Sequence, residues 1–111
     1  MNEAVREQHA DDTLRERVIE ALRTVHDPEI PVNIYDLGLI YDLNLDEPGA
    51  ARIRMTLTAP ACPFAAALPG QVEQAVKQVD GIERVEVALV WDPPWTQERM
   101  SDEAKLQLGL L

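Results

Sequence analysis

The chain has 111 residues, which is enough for one ordinary domain and too few for two. Hydrophobic residues make up 46% of it, so it can supply a core and is too apolar to be disordered. Twenty acidic residues against ten basic ones give a formal net charge of −10, which disfavours nucleic acid and anionic membranes as partners. Without an apolar run of membrane-spanning length or a signal-like N-terminus, a cytoplasmic protein is expected.

The first predicted elements are a tail, a helix and a loop. Residues 1–11 are polar and predict a flexible tail, so the single domain is expected to span 12–111. Thr13 and Glu16 fit a capping box, and apolar residues then recur at helical spacing. We expect this helix to stop near Asp27, because a proline follows. Two prolines, an asparagine and a glycine predict an ordered loop from there to residue 38.

Alternating apolar and polar residues predict three strands. Residues 39–45 and 52–58 form a hairpin around the turn at 46–49, with the threonines of the second strand on a solvated face. Residues 84–91 form the third strand. Between them lies a second helix, which either begins at Pro63 and kinks or starts at Pro69, and we favour the kinked form.

A short last helix is predicted from a cap at Ser101 to Leu108, inside a C-terminal extension. The order of elements is therefore α-β-β-α-β followed by that extension. It predicts a two-layer α+β fold in which a small mixed three-stranded sheet carries helices on one face.

The single cysteine, Cys62, limits the chemistry most. It excludes an internal disulfide and a metal site made of several thiolates from this chain. Cys62 follows a strand, lies between Pro60 and Pro63, and is expected near a helix N-terminus, which favours the thiolate and lowers the pKa of a thiol. The alternative is a small buried apolar residue. The flanking prolines favour a rigid loop that displays the thiol.

Three carboxylates lie in the apolar loop after the first helix: Asp27, Glu29 and Asp36. They are candidate oxygen ligands or supports for a metal held partly by Cys62. The alternative is that they bond backbone N–H groups of the loop. His26 suggests a Cys–His thiol enzyme, although a histidine at a helix C-terminus is also favourable for the helix dipole.

Two tryptophans flank a proline-rich segment near the C-terminus. Trp91 and Trp95 are candidates for a partner surface, with packing across the sheet edge as the alternative. Thr58 is the threonine nearest the cysteine loop and could donate a hydrogen bond into it.

Three separated motifs resemble those of the SufT/PaaD iron–sulfur (metal–sulfur) cluster assembly family, the type also known as domain of unknown function 59. They are DPEIPVNIYDLGLIY at 27–41, MTLTAPACP at 55–63, and the tail segments VWDPPW at 90–95 and MSDEA at 100–104. The resemblance implies a non-enzymatic role in the maturation of client proteins, with Cys62 as the reactive thiol and a candidate metal ligand. It also implies that a set of nearby positions supports the site: Asp27, Glu29, Asp36, Gly38 and Thr58.

The same resemblance implies scaffold or carrier proteins and client apoproteins as partners, and it allows a homodimer. One thiol cannot fill a cluster's coordination, so a transient cluster or iron is expected rather than a stably bound one. The chain shows neither the cysteine-rich extension of PaaD-type members nor the nucleotide-binding domain of Mrp-type ATPases, which favours the SufT-like branch. Ala61 stands where many relatives have glycine. A cysteine-independent adaptor that binds client apoproteins remains the alternative.

Overall fold

The structure is a computed structural model that describes residues 3–27, 30–58 and 67–110. The sheet has the order β1-β2-β3, with β1 antiparallel to β2 and β2 parallel to β3. The predicted α+β fold with a mixed three-stranded sheet is therefore confirmed. The elements in chain order are α1 (Glu3–Leu22), β1 (Ile40–Asn44), β2 (Ala50–Met55), α2 (Leu68–Lys77), β3 (Arg84–Leu89) and α3 (Asp102–Gln107).

Helix α1 differs from the prediction at both ends. It begins at Glu3, so the cap predicted at Thr13 is wrong, and residues 3–11 are helical where the sequence predicts a tail. These residues include Glu, Ala, Arg and Gln, whose high helix propensity extends the helix toward the N-terminus. The helix ends at Leu22, before Asp27, because the Thr24 hydroxyl and N–H both turn back to the Ala21 carbonyl, at 2.6 and 3.1 Å. The separation into a tail at 1–11 and a domain at 12–111 stays a prediction.

One face of the sheet carries the hydrophobic core. In β2, Ala51, Ile53 and Met55 are buried while Arg52 and Arg54 are exposed, as the alternation of a strand requires. The buried side chains of this face belong to one apolar cluster with side chains of α1 and α2. The buried members contributed by these two helices are Val18, Leu22, Leu68, Val72 and Val76.

Helix α2 begins at Leu68, with Ala67 as its N-cap and Pro69 in its first turn. Proline is tolerated there because the first N–H groups of a helix have no partner inside it. The favoured kinked helix would begin at Pro63, which lies outside the described residues, so that start stays a prediction. Residues 59–66 lie outside the described part of the chain. Cys62 is six positions before Leu68, so the thiol and the start of the helix are not adjacent in sequence.

Helix α3 follows the prediction closely. The Ser101 hydroxyl accepts a hydrogen bond from the Ala104 N–H at 3.1 Å, which caps the helix N-terminus. Gly109 has φ +75° just after the helix end, a conformation that favours glycine. This short helix buries Ala104 in the core and so fixes the end of the chain against the domain.

Candidate functional site

The carboxyl ends of β2 and β3 lie at the same edge of the sheet because the two strands are parallel. A hydrogen bond of 2.8 Å from the Val90 N–H to the Met55 carbonyl continues their pairing by one residue. Thr58 leaves the end of β2 and Trp91 leaves the end of β3, so both emerge at this edge. Ligands of open α/β sheets commonly bind at the carboxyl ends of parallel strands.

A groove of about 410 Å³ opens at this edge, and we call it the tryptophan groove. Its volume lies within the range of roughly 300–1,000 Å³ that is usual for ligand sites. It brings together Thr58 and both tryptophans, three of the residues that the sequence singles out. The described side chains that line it are Thr56, Leu57, Thr58, Trp91, Pro94 and Trp95.

Thr56 is buried, so the prediction that it lies on a solvated face is wrong. It alternates with the exposed Arg54, but only 1% of Thr56 is exposed, and it lines the same groove as the two tryptophans. Its N–H donates to the Leu39 carbonyl at 2.9 Å. Its hydroxyl Oγ1 is buried and has no hydrogen-bond partner in the part of the chain that the structure describes.

The two tryptophans have different surroundings. Trp95 is partly buried against the core, and its indole Nε1 donates to the Leu37 carbonyl at 2.7 Å. Trp91 is 46% exposed, among the most exposed large apolar side chains described. Packing is thus the observed environment of Trp95, whereas Trp91 presents an apolar surface to solvent.

Asp27 begins the loop and organises its own backbone. Its side chain is only 5% exposed, and Oδ1 accepts a hydrogen bond from the Ile30 N–H at 3.0 Å. Its N–H donates to the Val32 carbonyl at 3.2 Å. Aspartate commonly makes such hydrogen bonds in turns. Of the two roles that the sequence leaves open, this one is the bonding of backbone N–H groups in the loop.

Asp36 is held by a residue that the sequence analysis did not single out. Asn33 Nδ2 donates to Asp36 Oδ2 at 2.7 Å, and Asn33 Oδ1 accepts from the Asp36 N–H at 2.9 Å. The Asn-x-x-Asp spacing resembles a capping box and could have indicated this exchange. Arg23 lies 3.9 Å from Asp36 Oδ1 and stacks over the Tyr35 ring at 5.1 Å from its centroid. Asp36 therefore has partners within the fold that support a bracing role.

Gly38 lies where the loop contacts the C-terminal segment. Its φ is +81°, and an added Cβ would overlap the Arg99 carbonyl oxygen, so no other residue fits without a shift. The Ser101 N–H donates to the Asp36 carbonyl at 2.8 Å on the same side. Together with the indole bond of Trp95, these contacts fasten the loop to residues 95–101.

The remaining candidates lie apart or outside the described residues. Glu29 and Cys62 fall outside them, so their predicted roles stay predictions. His26 is exposed and pairs with Asn33 in an isolated β-bridge. Within residues 3–27, 30–58 and 67–110, no group of three or more His, Cys, Asp or Glu side chains could hold a metal ion. Over the same residues, no helix combines the length and apolarity needed to cross a membrane.

Comparisons with known proteins indicate the family of the chain. Residues 15–89 match the family model described as iron–sulfur cluster assembly protein. The chain is 47% identical over 96 residues to an Fe-S protein maturation auxiliary factor of Porphyromonas gingivalis, covering 86% of this chain and 91% of that protein. It is 41% identical over 86 residues to the Fe-S protein maturation auxiliary factor SufT of Staphylococcus aureus, covering 78% and 98%.

A solved structure is similar as well. The crystal structure of a domain of unknown function 59 from Bacillus anthracis superimposes with a TM-score of 0.81 at 39% identity, covering 90% of this chain and 95% of that one. The family model spans more than half of the chain, and the likeness to the curated factors extends over nearly their whole length. The chain therefore belongs to the family of iron–sulfur cluster assembly proteins, as a SufT-like member.

Proposed function

We propose that the chain is a non-catalytic auxiliary factor that uses Cys62 to pass iron, sulfur or a cluster to client apoproteins. The observation that carries this proposal is the 47% identity to a maturation auxiliary factor over 91% of that protein's length. Names of other relatives, such as an iron–sulfur cluster carrier protein of Synechocystis, agree with a role in handling clusters.

The single thiol shapes the proposed mechanism. A cluster usually takes four protein ligands, and the chain has one cysteine. Cys62 therefore supplies one ligand at a time, and outside thiols from a scaffold, a client or a second copy complete the coordination. Such incomplete ligation favours release, which suits transfer better than storage.

The loop after α1 has a supporting role in this proposal. The side chains of Asp27 and Asp36 bond within the loop, and Gly38 seats it against the C-terminal segment. We assign these residues to shaping the surface around the tryptophan groove rather than to binding metal.

A cysteine-independent adaptor is the second candidate, and one observation favours it. Trp91 is 46% exposed beside an apolar groove, which is the type of surface that client proteins could bind without any thiol chemistry. In that case Cys62 would be dispensable and Trp91 essential.

Complementation separates the two candidates. A host lacking its own SufT-like factor is grown with limited iron and supplied with the wild-type chain, Cys62→Ser or Trp91→Ala, and aconitase activity is measured. Restoration by wild type but not by Cys62→Ser supports transfer through the thiol. Full restoration by Cys62→Ser together with failure of Trp91→Ala supports the adaptor. If the wild-type chain restores nothing across several iron–sulfur enzymes, both candidates are wrong.

A further inference from the structure

Strand β3 lies at one edge of the sheet, with β2 as its neighbour among the described strands. The Val90 N–H donates to the Met55 carbonyl at 2.8 Å, so the backbone groups of even-numbered residues in this segment point toward β2. Because backbone groups alternate along a strand, those of Val85, Val87 and Leu89 point away from the sheet. The outer edge of β3 therefore offers the N–H and the carbonyl of each of these residues to another strand.

The opposite edge of the sheet, on β1, is irregular and partly occupied. The pairing of β1 with β2 shifts between Ile40 and Asp42, as in a β-bulge. The guanidinium Nη1 of Arg15 on α1 donates to the Leu43 carbonyl at 3.2 Å. Both features hinder pairing with a further strand. All six residues of β3 pair with β2 in one register, so β3 offers the regular edge to which a strand can add.

An apolar row runs along the β3 edge. The side chains of Val85, Val87 and Leu89 share the face of the buried β2 residues with which they pair. The two valines are partly buried against the core, whereas Leu89 is 39% exposed. On the other face of the strand, Glu86 and Ala88 are exposed. A strand that adds here would cover part of the apolar row as well as pair with the backbone.

The sequence of β3 is complementary to a second copy of itself in one antiparallel register. A two-fold axis at Val87 places this residue opposite Val87 of the second copy. Val85 then lies opposite Leu89, so apolar side chains meet along the row. On the other face Glu86 lies opposite Ala88, and no like charges meet. An axis at Glu86 would oppose two carboxylates, and an axis at Val85 would leave Leu89 unpaired.

We propose that two copies of the chain associate through their β3 edges, antiparallel and with Val87 opposite Val87, to form one continuous sheet. The outward backbone groups of both copies make about six hydrogen bonds across the axis. The interface is isologous, so it closes at two copies. The net charge of −10 opposes the approach of two copies, which makes the association weak and dependent on salt. Pairing needs neither Cys62 nor a client, so the inference goes beyond the proposed function.

Analytical ultracentrifugation of the full chain from about 1 µM to about 1 mM tests this association. A reductant is present throughout, which prevents a disulfide between two Cys62 thiols. We expect a reversible equilibrium of monomer and dimer. Its dissociation constant should fall at least about threefold when salt is raised, because screening weakens the repulsion between acidic copies. A monomer at every concentration, a dimer weakened by salt, or assemblies larger than a dimer would overturn the proposal.

Amide hydrogen exchange followed by NMR locates the interface. The N–H groups of Val85, Val87 and Leu89 should exchange at least about tenfold more slowly above the dissociation constant than below it. Glu86 and Ala88 already pair with β2, so their N–H groups are the internal control and should slow much less. Exchange of the outward groups that does not depend on concentration would place the interface elsewhere and refute the pairing.

Two matched pairs of variants test the register. Leu89→Lys places a charge in the apolar row and should weaken the dimer at least about tenfold. Leu106→Lys makes the same change at an exposed residue of α3 and should alter the dissociation constant by no more than about twofold. Ala88→Lys faces Glu86 of the second copy and should give a dimer at least about fivefold tighter than Ala88→Glu does. Equal constants within either pair would show that the proposed register is wrong.

Far-UV circular dichroism checks the folding of each variant. The Ala88 pair decides alone if Leu89→Lys does not fold, because Ala88 is exposed. Cys62→Ser should dimerise as wild type does, so failed complementation by this variant with an intact dimer refutes only the independence of the function from the thiol. Successful complementation by a wild-type chain that stays monomeric refutes only the β3 pairing.

Discussion

The indole Nε1 of Trp95 donates a 2.7 Å hydrogen bond to the carbonyl oxygen of Leu37, across 58 positions of sequence. This bond joins the C-terminal segment to the loop after α1. It also fixes one wall of the tryptophan groove. The stability of the loop and the shape of the groove therefore depend on the same side chain.

Replacing that side chain by one without a donor should destabilise the fold modestly. Trp95→Phe keeps an aromatic ring but leaves the Leu37 carbonyl without the indole N–H. We expect the free energy of unfolding in urea to fall by about 1 kcal/mol. Trp91→Phe is the matched control, because Trp91 is 46% exposed, and it should change stability by no more than about 0.5 kcal/mol. Equal effects of the two substitutions would contradict the anchoring role of Trp95.

Gly38→Ala should be strongly destabilising. Alanine is disfavoured at φ +81°, and its Cβ would overlap the backbone of Arg99. A loss of at least about 2 kcal/mol is expected from thermal or urea unfolding. Gly70→Ala is the control: nothing lies within 4 Å of a Cβ there, and the position is helical, so stability should be unchanged or rise by up to about 1 kcal/mol. A Gly38→Ala chain as stable as wild type would show that the contact can relax.

Asp36→Ala should destabilise the loop mainly through Asn33. The substitution leaves the Nδ2 group of the partly buried Asn33 without its 2.7 Å acceptor, and we expect a cost of about 1–3 kcal/mol. Arg23→Ala should cost no more than about 0.5 kcal/mol, because its 3.9 Å contact with Asp36 is long and its side chain is half exposed. A double-mutant cycle between Asn33→Ala and Asp36→Ala measures the coupling. A coupling energy near zero would argue that Asp36 acts through something other than Asn33.

Thr56→Val should stabilise the isolated chain. The buried hydroxyl has no hydrogen-bond partner among the described residues. Its replacement by a methyl group therefore removes the free-energy cost of burying an unpaired polar group. A gain of about 1 kcal/mol in urea unfolding is expected. Thr58→Val, at a partly exposed position, is the comparison and should be nearly neutral. Destabilisation by Thr56→Val would mean that the hydroxyl contributes to the stability of the fold.

Local signals in the sequence predicted local structure well. Ser101 and Gly109 mark both ends of α3, because a cap and a positive φ depend on a few neighbouring residues. The hairpin, and the alternation of buried and exposed side chains in β2, likewise follow from the alternation of apolar and polar residues in the sequence. The start of α1 at Glu3 does not follow from the sequence pattern, because the first residues have helix propensity but no apolar periodicity.

Features that depend on distant segments could not be predicted in this way. Thr56 is buried and lines one groove with two tryptophans more than thirty positions later, which the alternation of the strand does not indicate. The different environments of Trp91 and Trp95 depend on a carbonyl in another loop. Cys62 and Glu29 lie outside the described residues, so their roles stay predictions, as do the homodimer and the cytoplasmic location.

The parallel pairing of β2 and β3 has a consequence for the reach of the thiol. Cys62 belongs to the crossover between these strands, whose described ends are tied to the central strand of the sheet and to α2. Four positions separate it from Thr58, and an extended chain of that length spans at most about 14 Å. The sequence distance therefore sets an upper limit on how far Cys62 can lie from Thr58 beside the tryptophan groove. Insertions or deletions between these two residues would change that limit without replacing any residue of the described core.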